Sequence, residues 1–195
     1  MRRNDRRLVY GLGNTDITTV TEDGKYIRSY LIWAAIIQRC VDPKYHAKEP
    51  TYIGTTICDE WKNYSAFKAW YDIHFQEEMQ IDADLFKKGG KIYSPETCCF
   101  LPRQINTALI TKSLHNKSGY AGVTWSKQNK KWQTHTRTIN GNGHIGFFDD
   151  IKLASAAYIE AKQNHIKELA EKYKSLLTKR VYDALMNWRY HESNL

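Results

Sequence analysis

The chain has 195 residues and is 42% hydrophobic, 13% aromatic and 26% charged, so it can bury one core or two small ones, and we do not expect disorder along its whole length. Its longest uncharged helical stretch, residues 30–38, is far short of the roughly 20 apolar residues that span a bilayer, and no secretory signal pattern follows the first arginines, so we expect an intracellular protein. The net charge is +8, and the whole excess lies in residues 103–195, where 15 Lys and Arg stand against 7 Asp and Glu. A polyanionic partner is expected to dock in this half, and a solvated basic surface is the alternative that charge alone leaves open.

The first predicted elements are an arm and two helices. Residues 1–28 are basic and then rich in turn residues, with a turn at 22–25, which predicts an irregular arm. Apolar side chains at helical spacing predict a buried helix from Ser29 to Val41. A second helix is expected after Ser65, whose hydroxyl could cap it. The three tryptophans expected in the core of this region are Trp33, Trp61 and Trp70.

Strand-like patterns dominate the middle of the chain. Residues 80–106 have two short alternating apolar pieces around a Lys-Lys-Gly-Gly-Lys turn, which predicts a β-hairpin followed by a loop, with helix resuming near Ile105. Three further strand-like pieces lie between Gly119 and Phe148, separated by a turn at 127–130 and an Asn-Gly-Asn-Gly turn at 140–143. They predict a three-stranded antiparallel sheet.

Two helices are predicted after this sheet. Asp149 and Asp150 stand where an N-cap is expected, before a long helix that runs to about Tyr173. The residues expected on its packing face are Ala154, Ala157, Tyr158 and Ala161. A final amphipathic helix should carry Leu176, Leu177, Val181, Leu185 and Trp188. The pattern as a whole predicts an α+β fold, with a helical N-terminal region, a three-stranded antiparallel sheet packed on a long helix, and a C-terminal helix.

The second strand of the predicted sheet separates packing residues from contacting ones, because side chains alternate between the two faces of a strand. The even positions 132, 134 and 136 share one face, and Gln133, His135 and Arg137 share the other, which we expect to be exposed to solvent. A two- or three-stranded ribbon fits the major groove of duplex DNA, and polar side chains on its outer face can reach base edges.

Arg137 is the strongest candidate for a base contact. The other candidates for base contacts are Thr124, Ser126, His135, Asn142 and His144, and those for phosphate contacts are Lys127, Lys130 and Lys131. The alternative for each of the histidines alone is an ordinary surface residue.

Residues 119–162, GYAGVTWSKQNKKWQTHTRTINGNGHIGFFDDIKLASAAYIEAK, resemble the DNA-binding domain of plant ethylene-response and Apetala-type transcription factors, which also occurs in phage homing endonucleases. The matching residues are Tyr120, Gly122, Val123, Trp132, Arg137, Gly146, Phe148, Ala154, Ala157 and Tyr158. The resemblance implies a sheet that lies in the major groove. The chain departs from the family at Ala121, Thr124, His135, Asn142 and His144, so the resemblance implies no particular target sequence.

The first half resembles phage proteins described as HNH endonucleases with an Apetala-type domain. The resemblance rests on LVYGLGNTD, YLIWAAIIQRC, TYIGTTICDEW, AFKAWYDIH and the stretch from Ile81 to Asn106. In that group this last stretch is similar to a ββα-metal nuclease hairpin, which needs a histidine base, ligands for an ion such as Mg²⁺, and an orienting asparagine. The resemblance implies Asp82 and Asp84 as metal ligands and Asn106 as the asparagine.

The expected histidine base is missing, because the chain reads Asp82-Ala83-Asp84 and contains no Asp-His pair. His74 is the candidate substitute, and the alternative for the two aspartates is that they cap turns. The favoured function is therefore a double-stranded DNA-binding protein with a degenerate nuclease centre. A working metal-dependent endonuclease or nickase, and a counter-defence protein that blocks a host enzyme, stay open as alternatives.

Three regions are expected: an arm at 1–28, an HNH-like region at 29–115 and an Apetala-type domain at 116–195. The cysteines form no CxxC pair, so free buried thiols are favoured over a structural zinc site. Such a zinc site would use Cys40, Cys58 and Cys98 with His74. No membrane partner is expected.

Overall fold

The computed structural model describes residues 8–86, 90–110, 117–139 and 141–190, and of Asn142 it describes the backbone alone. The chain divides into two units, Met1–Phe100 and Leu101–Leu195. Helices and small sheets occur in both, which confirms the predicted α+β class. The expected boundary between residues 115 and 116 and the basic run at residues 1–7 lie outside the described residues.

The first unit opens with a small hairpin inside the segment that was expected to be irregular. Strand β1 (Thr21–Glu22) pairs antiparallel with β2 (Lys25–Tyr26). Asp23 and Gly24 between them have φ of 50° and 75°, the backbone that a two-residue turn of type I′ requires. The predicted turn at 22–25 is therefore a hairpin turn.

Two helices follow the hairpin. Helix α1 (Arg28–Val41) confirms the predicted buried helix, with Trp33, Ile36 and Ile37 fully buried. The short helix α2 (Pro43–Lys48), which the sequence analysis missed, has proline in its first turn and Asp42 as N-cap. The Asp42 carboxylate accepts a hydrogen bond from the backbone N–H of Lys44 at 2.9 Å.

Helix α3 (Tyr64–His74) follows the short strand β3 (Thr56–Ile57) and a single 3₁₀ turn. The expected cap by Ser65 is wrong, because Ser65 is itself a helical residue and donates both its backbone N–H and its hydroxyl to the carboxylate of Asp16. An acceptor 49 positions away in the chain thus satisfies the first turn of the helix.

The core of this unit is aromatic. Trp61 packs edge-on against Phe67 with ring centroids 5.1 Å apart and lies 4.7 Å from Trp70, and Trp33 donates its indole N–H to the carbonyl of Trp61 at 2.7 Å. The three tryptophans expected in the core are thus confirmed there, at 0%, 1% and 8% exposure.

Three short strands close the first unit, and the predicted hairpin within 80–106 is wrong. Strand β4 (Met79–Asp82) pairs with β6 (Cys99–Pro102), the strand in which the first unit ends, whereas β5 (Ile92–Tyr93) pairs in parallel with β3. Alternating short apolar pieces fix strand formation but not the choice of partner. Residues 87–89 of the expected turn lie outside the described residues.

The second unit contains helix α4 (Arg103–Leu109), in agreement with helix resuming near Ile105, and then the three-stranded antiparallel sheet. Its strands are β7 (Val123–Ser126), β8 (Lys131–Thr138) and β9 (Gly141–Phe148), with β8 in the centre. The third strand begins at Gly141, so residues 141–143 of the predicted Asn-Gly-Asn-Gly turn belong to the strand itself. Asn140 is outside the described residues.

One register shift interrupts the pairing of β8 with β9. Thr134 lies opposite Gly146, but the next residue, His135, lies opposite His144, so Ile145 is an extra residue in β9. A bulge of this kind reverses the face on which the following side chains of that strand lie relative to unbroken alternation.

Helix α5 (Ile151–Lys172) confirms the long helix, and Asp150 caps it by accepting from the backbone N–H groups of Lys152 and Leu153. The last helix, α6 (Lys179–Met186), is shorter than predicted. Thr178 is the side-chain N-cap of α6, so the helix cannot include the residues before it. Leu176 ends a separate 3₁₀ turn, and Leu177 connects that turn to Thr178. No helix in the described parts of the chain is long and apolar enough to cross a membrane.

Candidate nucleic-acid interface

The two faces of the central strand β8 differ as the alternation predicts. Thr134 is fully buried, and its hydroxyl donates to the carbonyl of Ala154 in α5 at 3.3 Å. His135 and Arg137, on the other face, are exposed. The helix therefore covers one side of the sheet.

The uncovered side forms a continuous surface, which we call the outer sheet face. Its residues are the exposed Thr124, His135, Arg137, His144 and Phe147 and the half-buried Gln133. None of these side chains is acidic. The surface therefore offers a guanidinium, an amide, two imidazoles and one apolar ring on a single side of the sheet.

Ring contacts order the middle of this face. The imidazoles of His135 and His144 have centroids 4.9 Å apart, and that of His144 lies 4.8 Å from the ring of Phe147. The amide Nε2 of Gln133 donates to Nε2 of His135 at 3.2 Å, a geometry in which this nitrogen of the imidazole accepts. These contacts restrict the rotamers of the side chains that point to solvent.

The turn between β7 and β8 presents lysines at one end of the face. Lys127 and Lys130 are exposed, and Lys130 has a positive φ of 52°. The hydroxyl of Ser126 accepts from the backbone and side-chain N–H groups of Asn129 at 3.3 and 3.1 Å, so Ser126 holds the turn in place. Lys131 forms an ion pair with Asp149 at 3.1 Å.

Asn142 is opposite Arg137 in the ladder of β8 and β9. Its side chain lies outside the description, so its expected base contact stays a prediction. Of the other eight residues predicted to contact DNA, four belong to the outer sheet face. The other four, at 126, 127, 130 and 131, lie at the β7–β8 turn.

The acidic pair of the first unit has the geometry of a turn. The carboxylate oxygen of Asp82 accepts from the backbone N–H groups of Asp84 and Leu85 at 3.0 and 2.8 Å. Burial raises the pKa of Asp82, and these two hydrogen bonds oppose the shift. The observed contacts are thus those of the turn-capping alternative, and Asp84 is exposed beside it.

His74 ends helix α3, where its Nδ1–H donates to the carbonyl of Trp70 at 2.7 Å and its ring stacks on the Trp70 indole. Asn106 belongs to the second unit, in α4. Across residues 8–86, 90–110, 117–139 and 141–190, no three His, Cys, Asp or Glu side chains form a group that could hold a metal ion.

The cysteines of the first unit are thiols in apolar surroundings. Burial raises the pKa of Cys40 to about 11 and that of Cys98 to about 12, and it also raises the pKa of Cys58. None of the four cysteines forms a disulfide bond, in agreement with the thiols that the sequence predicts, and the thiols of Cys40, Cys58 and Cys98 stay protonated at neutral pH.

The second unit also holds a cavity of about 550 Å³ beside the sheet, lined in part by Tyr158, Lys162 and His165 of α5 and by His135 and Arg137 of β8. The ammonium of Lys162 donates to the carbonyl of Ile110 at 2.6 Å, and burial lowers its pKa to about 8. Burial also lowers the pKa of His165, whose Nδ1 has no hydrogen-bond partner among the described residues.

Sequence reasoning missed Gln133 and Phe147 as members of the candidate interface. The parity of Gln133 placed it on the correct face, but its pairing with His135 is a side-chain contact that no pattern shows. Phe147 has the wrong parity relative to His144, and only the bulge at Ile145 brings both residues to the same side.

Comparison with protein-family models, with curated proteins and with solved structures gave no match for this chain.

Proposed function

We propose that the chain is a double-stranded DNA-binding protein whose second unit places the outer sheet face in the major groove. The observation that carries the proposal is the composition of this face, where Arg137, the amide of Gln133 and two imidazoles stand together on the uncovered side of a three-stranded sheet. Such groups are the donors and acceptors that contact base edges.

Size and charge support the same partner. Eight residues of β8 extend over about 26 Å at roughly 3.3 Å per residue, so a part of the strand can lie within a groove about 12 Å wide while its ends reach the flanking phosphates. Lys127 and Lys130 stand at one such end, and the excess of basic residues lies in the same half of the chain.

The resemblance to Apetala-type domains supports the proposal in its docking mode, with the sheet toward the groove. The resemblance of the first half to HNH endonucleases supports a nuclease-derived unit that serves as a scaffold. The turn hydrogen bonds of Asp82 and the alanine at position 83 favour a degenerate centre over a working one.

The salt dependence of binding tests the proposal. If the protein neutralises about five to seven phosphates, the logarithm of its affinity for duplex DNA falls with the logarithm of salt concentration at a slope near −0.9 per contact. Fluorescence anisotropy titrations of a labelled duplex at KCl concentrations between roughly 50 and 300 mM measure that slope, because added salt shortens the Debye length across this range.

Single lysine variants supply the control. Lys127→Ala and Lys130→Ala should each reduce the steepness of the slope by about 1. Lys179→Ala, at the start of α6 and away from the sheet, should leave it unchanged. An affinity that does not respond to salt contradicts the proposal.

A further inference from the structure

We infer that Gln133 and Phe147 read A·T base pairs in the DNA target, Gln133 by hydrogen bonds to adenine and Phe147 by apolar contact with the thymine methyl group. This inference rests on the proposed function and adds the base composition that the outer sheet face selects.

The two residues lie in one row across the sheet. The ladder puts Gln133 of the central strand directly opposite Thr124 on one side and Phe147 on the other. Directly opposite residues on one face have Cβ atoms about 5 Å apart, a distance comparable to the spacing of neighbouring base pairs. The row can therefore contact one base pair or two adjacent pairs.

The amide of Gln133 is oriented by its neighbour. One of its N–H groups donates to His135, which leaves the second N–H and the Oε1 oxygen for a partner. Adenine presents an acceptor at N7 beside a donor at N6 in the major groove, which matches this remaining pair of groups. His135 thus acts as a positioning residue for the amide.

The phenyl ring of Phe147 is 41% exposed on a face whose other members are polar. A phenyl ring neither donates nor accepts a conventional hydrogen bond, so it cannot satisfy the polar edge groups of guanine or cytosine. The thymine methyl is the apolar group that the major groove offers. The ring contact with His144 holds Phe147 in place for this contact.

Arg137 lies four residues further along β8, about 13 Å from Gln133 at roughly 3.3 Å per residue. It therefore contacts a different part of the target. The preference for A·T contributed by the row is separable from any base that Arg137 reads.

The test begins with selection of a target from a pool of random duplexes by the full chain. The selected consensus should contain at least one invariant A·T pair. Two base analogues are then placed at each invariant A·T pair, one at a time. Deoxyuridine in place of thymidine removes only the methyl group, and 7-deazaadenine in place of adenine removes only the N7 acceptor.

Wild-type protein should lose about fourfold in affinity when one buried methyl group is removed. It should lose about fivefold when the hydrogen bond to N7 is lost. Phe147→Ala should bind the thymidine and deoxyuridine duplexes equally but keep its response to 7-deazaadenine. Gln133→Ala should show the opposite pattern.

Leu153→Ala is the matched control, because Leu153 is an exposed apolar residue on α5, at 62% exposure against 41% for Phe147, and lies outside the outer sheet face. It should respond to both analogues as wild-type protein does. Thermal unfolding followed by circular dichroism confirms that each variant is folded.

The outcomes separate the two proposals. A chain that shows no salt-dependent binding to any duplex overturns the proposed function and this inference together. Salt-dependent binding without an A·T pair in the consensus, or analogue responses that persist in the two variants, overturns the inference and leaves the proposed function in place.

Discussion

Arg137 is the main candidate for a base contact under the proposed function, and it is exposed in β8 and opposite Asn142 in the ladder. Arg137→Ala should weaken binding to the selected duplex by about 1–3 kcal/mol and relax specificity at one base. Anisotropy titrations on the selected duplex and on a scrambled duplex measure both effects. Lys127→Ala should weaken both duplexes equally, and the same pattern for Arg137→Ala would make Arg137 a phosphate contact.

For single residues, the sequence predicts roles that depend on neighbours in the chain and misses contacts with residues far away in the chain. The cap at Asp150 and the parity of His135 and Arg137 follow from neighbours in the chain, and the structure confirms them. The cap that Asp16 supplies to α3 could not be predicted, because its acceptor comes from a segment 49 positions earlier. A helix end only requires an acceptor, and the pattern does not say which one.

Among the secondary-structure elements, helix α5 packs against the three-stranded sheet, and a side chain caps its N-terminus. Asp150→Ala removes an acceptor for two backbone N–H groups and should lower the free energy of unfolding by about 1 kcal/mol. Asp149→Ala, next to it, loses only the exposed ion pair with Lys131 and should lower it by about 0.5 kcal/mol or less. Urea unfolding measures the free energy of unfolding of both variants, and equal decreases would contradict the role of Asp150 as the cap.

Helix α5 also buries Lys162, whose pKa of about 8 lies below the ordinary lysine value of 10.5. Between these two pH values the folded protein binds fewer protons than the unfolded chain, so the free energy of unfolding contributed by this residue rises with pH. Below pH 8 the Lys162 ammonium is charged in its buried site, which lowers the free energy of unfolding by about 3 kcal/mol relative to a solvated ammonium. The cost disappears as pH rises toward 10.5.

Urea unfolding at pH 7.5 and pH 9.5 tests this behaviour of α5. Wild-type protein should gain about 2 kcal/mol more than Lys162→Met between the two pH values, because methionine does not titrate. Lys152→Met, in the exposed first turn of the same helix, should behave as wild type does. The comparison with the variants cancels the titration of tyrosines in the same range.

Strand existence in this chain was predicted better than strand pairing. The three strands of the second unit follow each other with tight turns, so their order in the sheet follows from the chain. In the first unit β1 and β2 form a tight hairpin, whereas β3 to β6 are two to four residues long and pair across long connections, with β5 parallel to β3. Patterns this short do not specify a partner, which is why the hairpin predicted there was wrong.

For the whole molecule, the two units raise the question whether the first one cuts the DNA that we propose the second one binds. We expect supercoiled plasmid to be shifted at low salt but to stay supercoiled with Mg²⁺, Mn²⁺ or EDTA, because the Asp82 carboxylate accepts from backbone N–H groups of its own turn and the chain contains no Asp-His pair. One agarose gel shows both shift and nicking. Metal-dependent open circles that Asp82→Asn abolishes would instead establish a working nuclease, since asparagine keeps the oxygen that the turn needs.

The extra residue in β9 has a consequence for how related chains would diverge. Deleting Ile145 would restore unbroken alternation and leave His144 and Phe147 two positions apart, so both side chains would stay on the same side of the strand. A strand that kept Ile145 but lost the bulge would instead place His144 and Gly146 on one side. Descendants of this chain could therefore shorten this strand by one codon and keep the same groups at the surface.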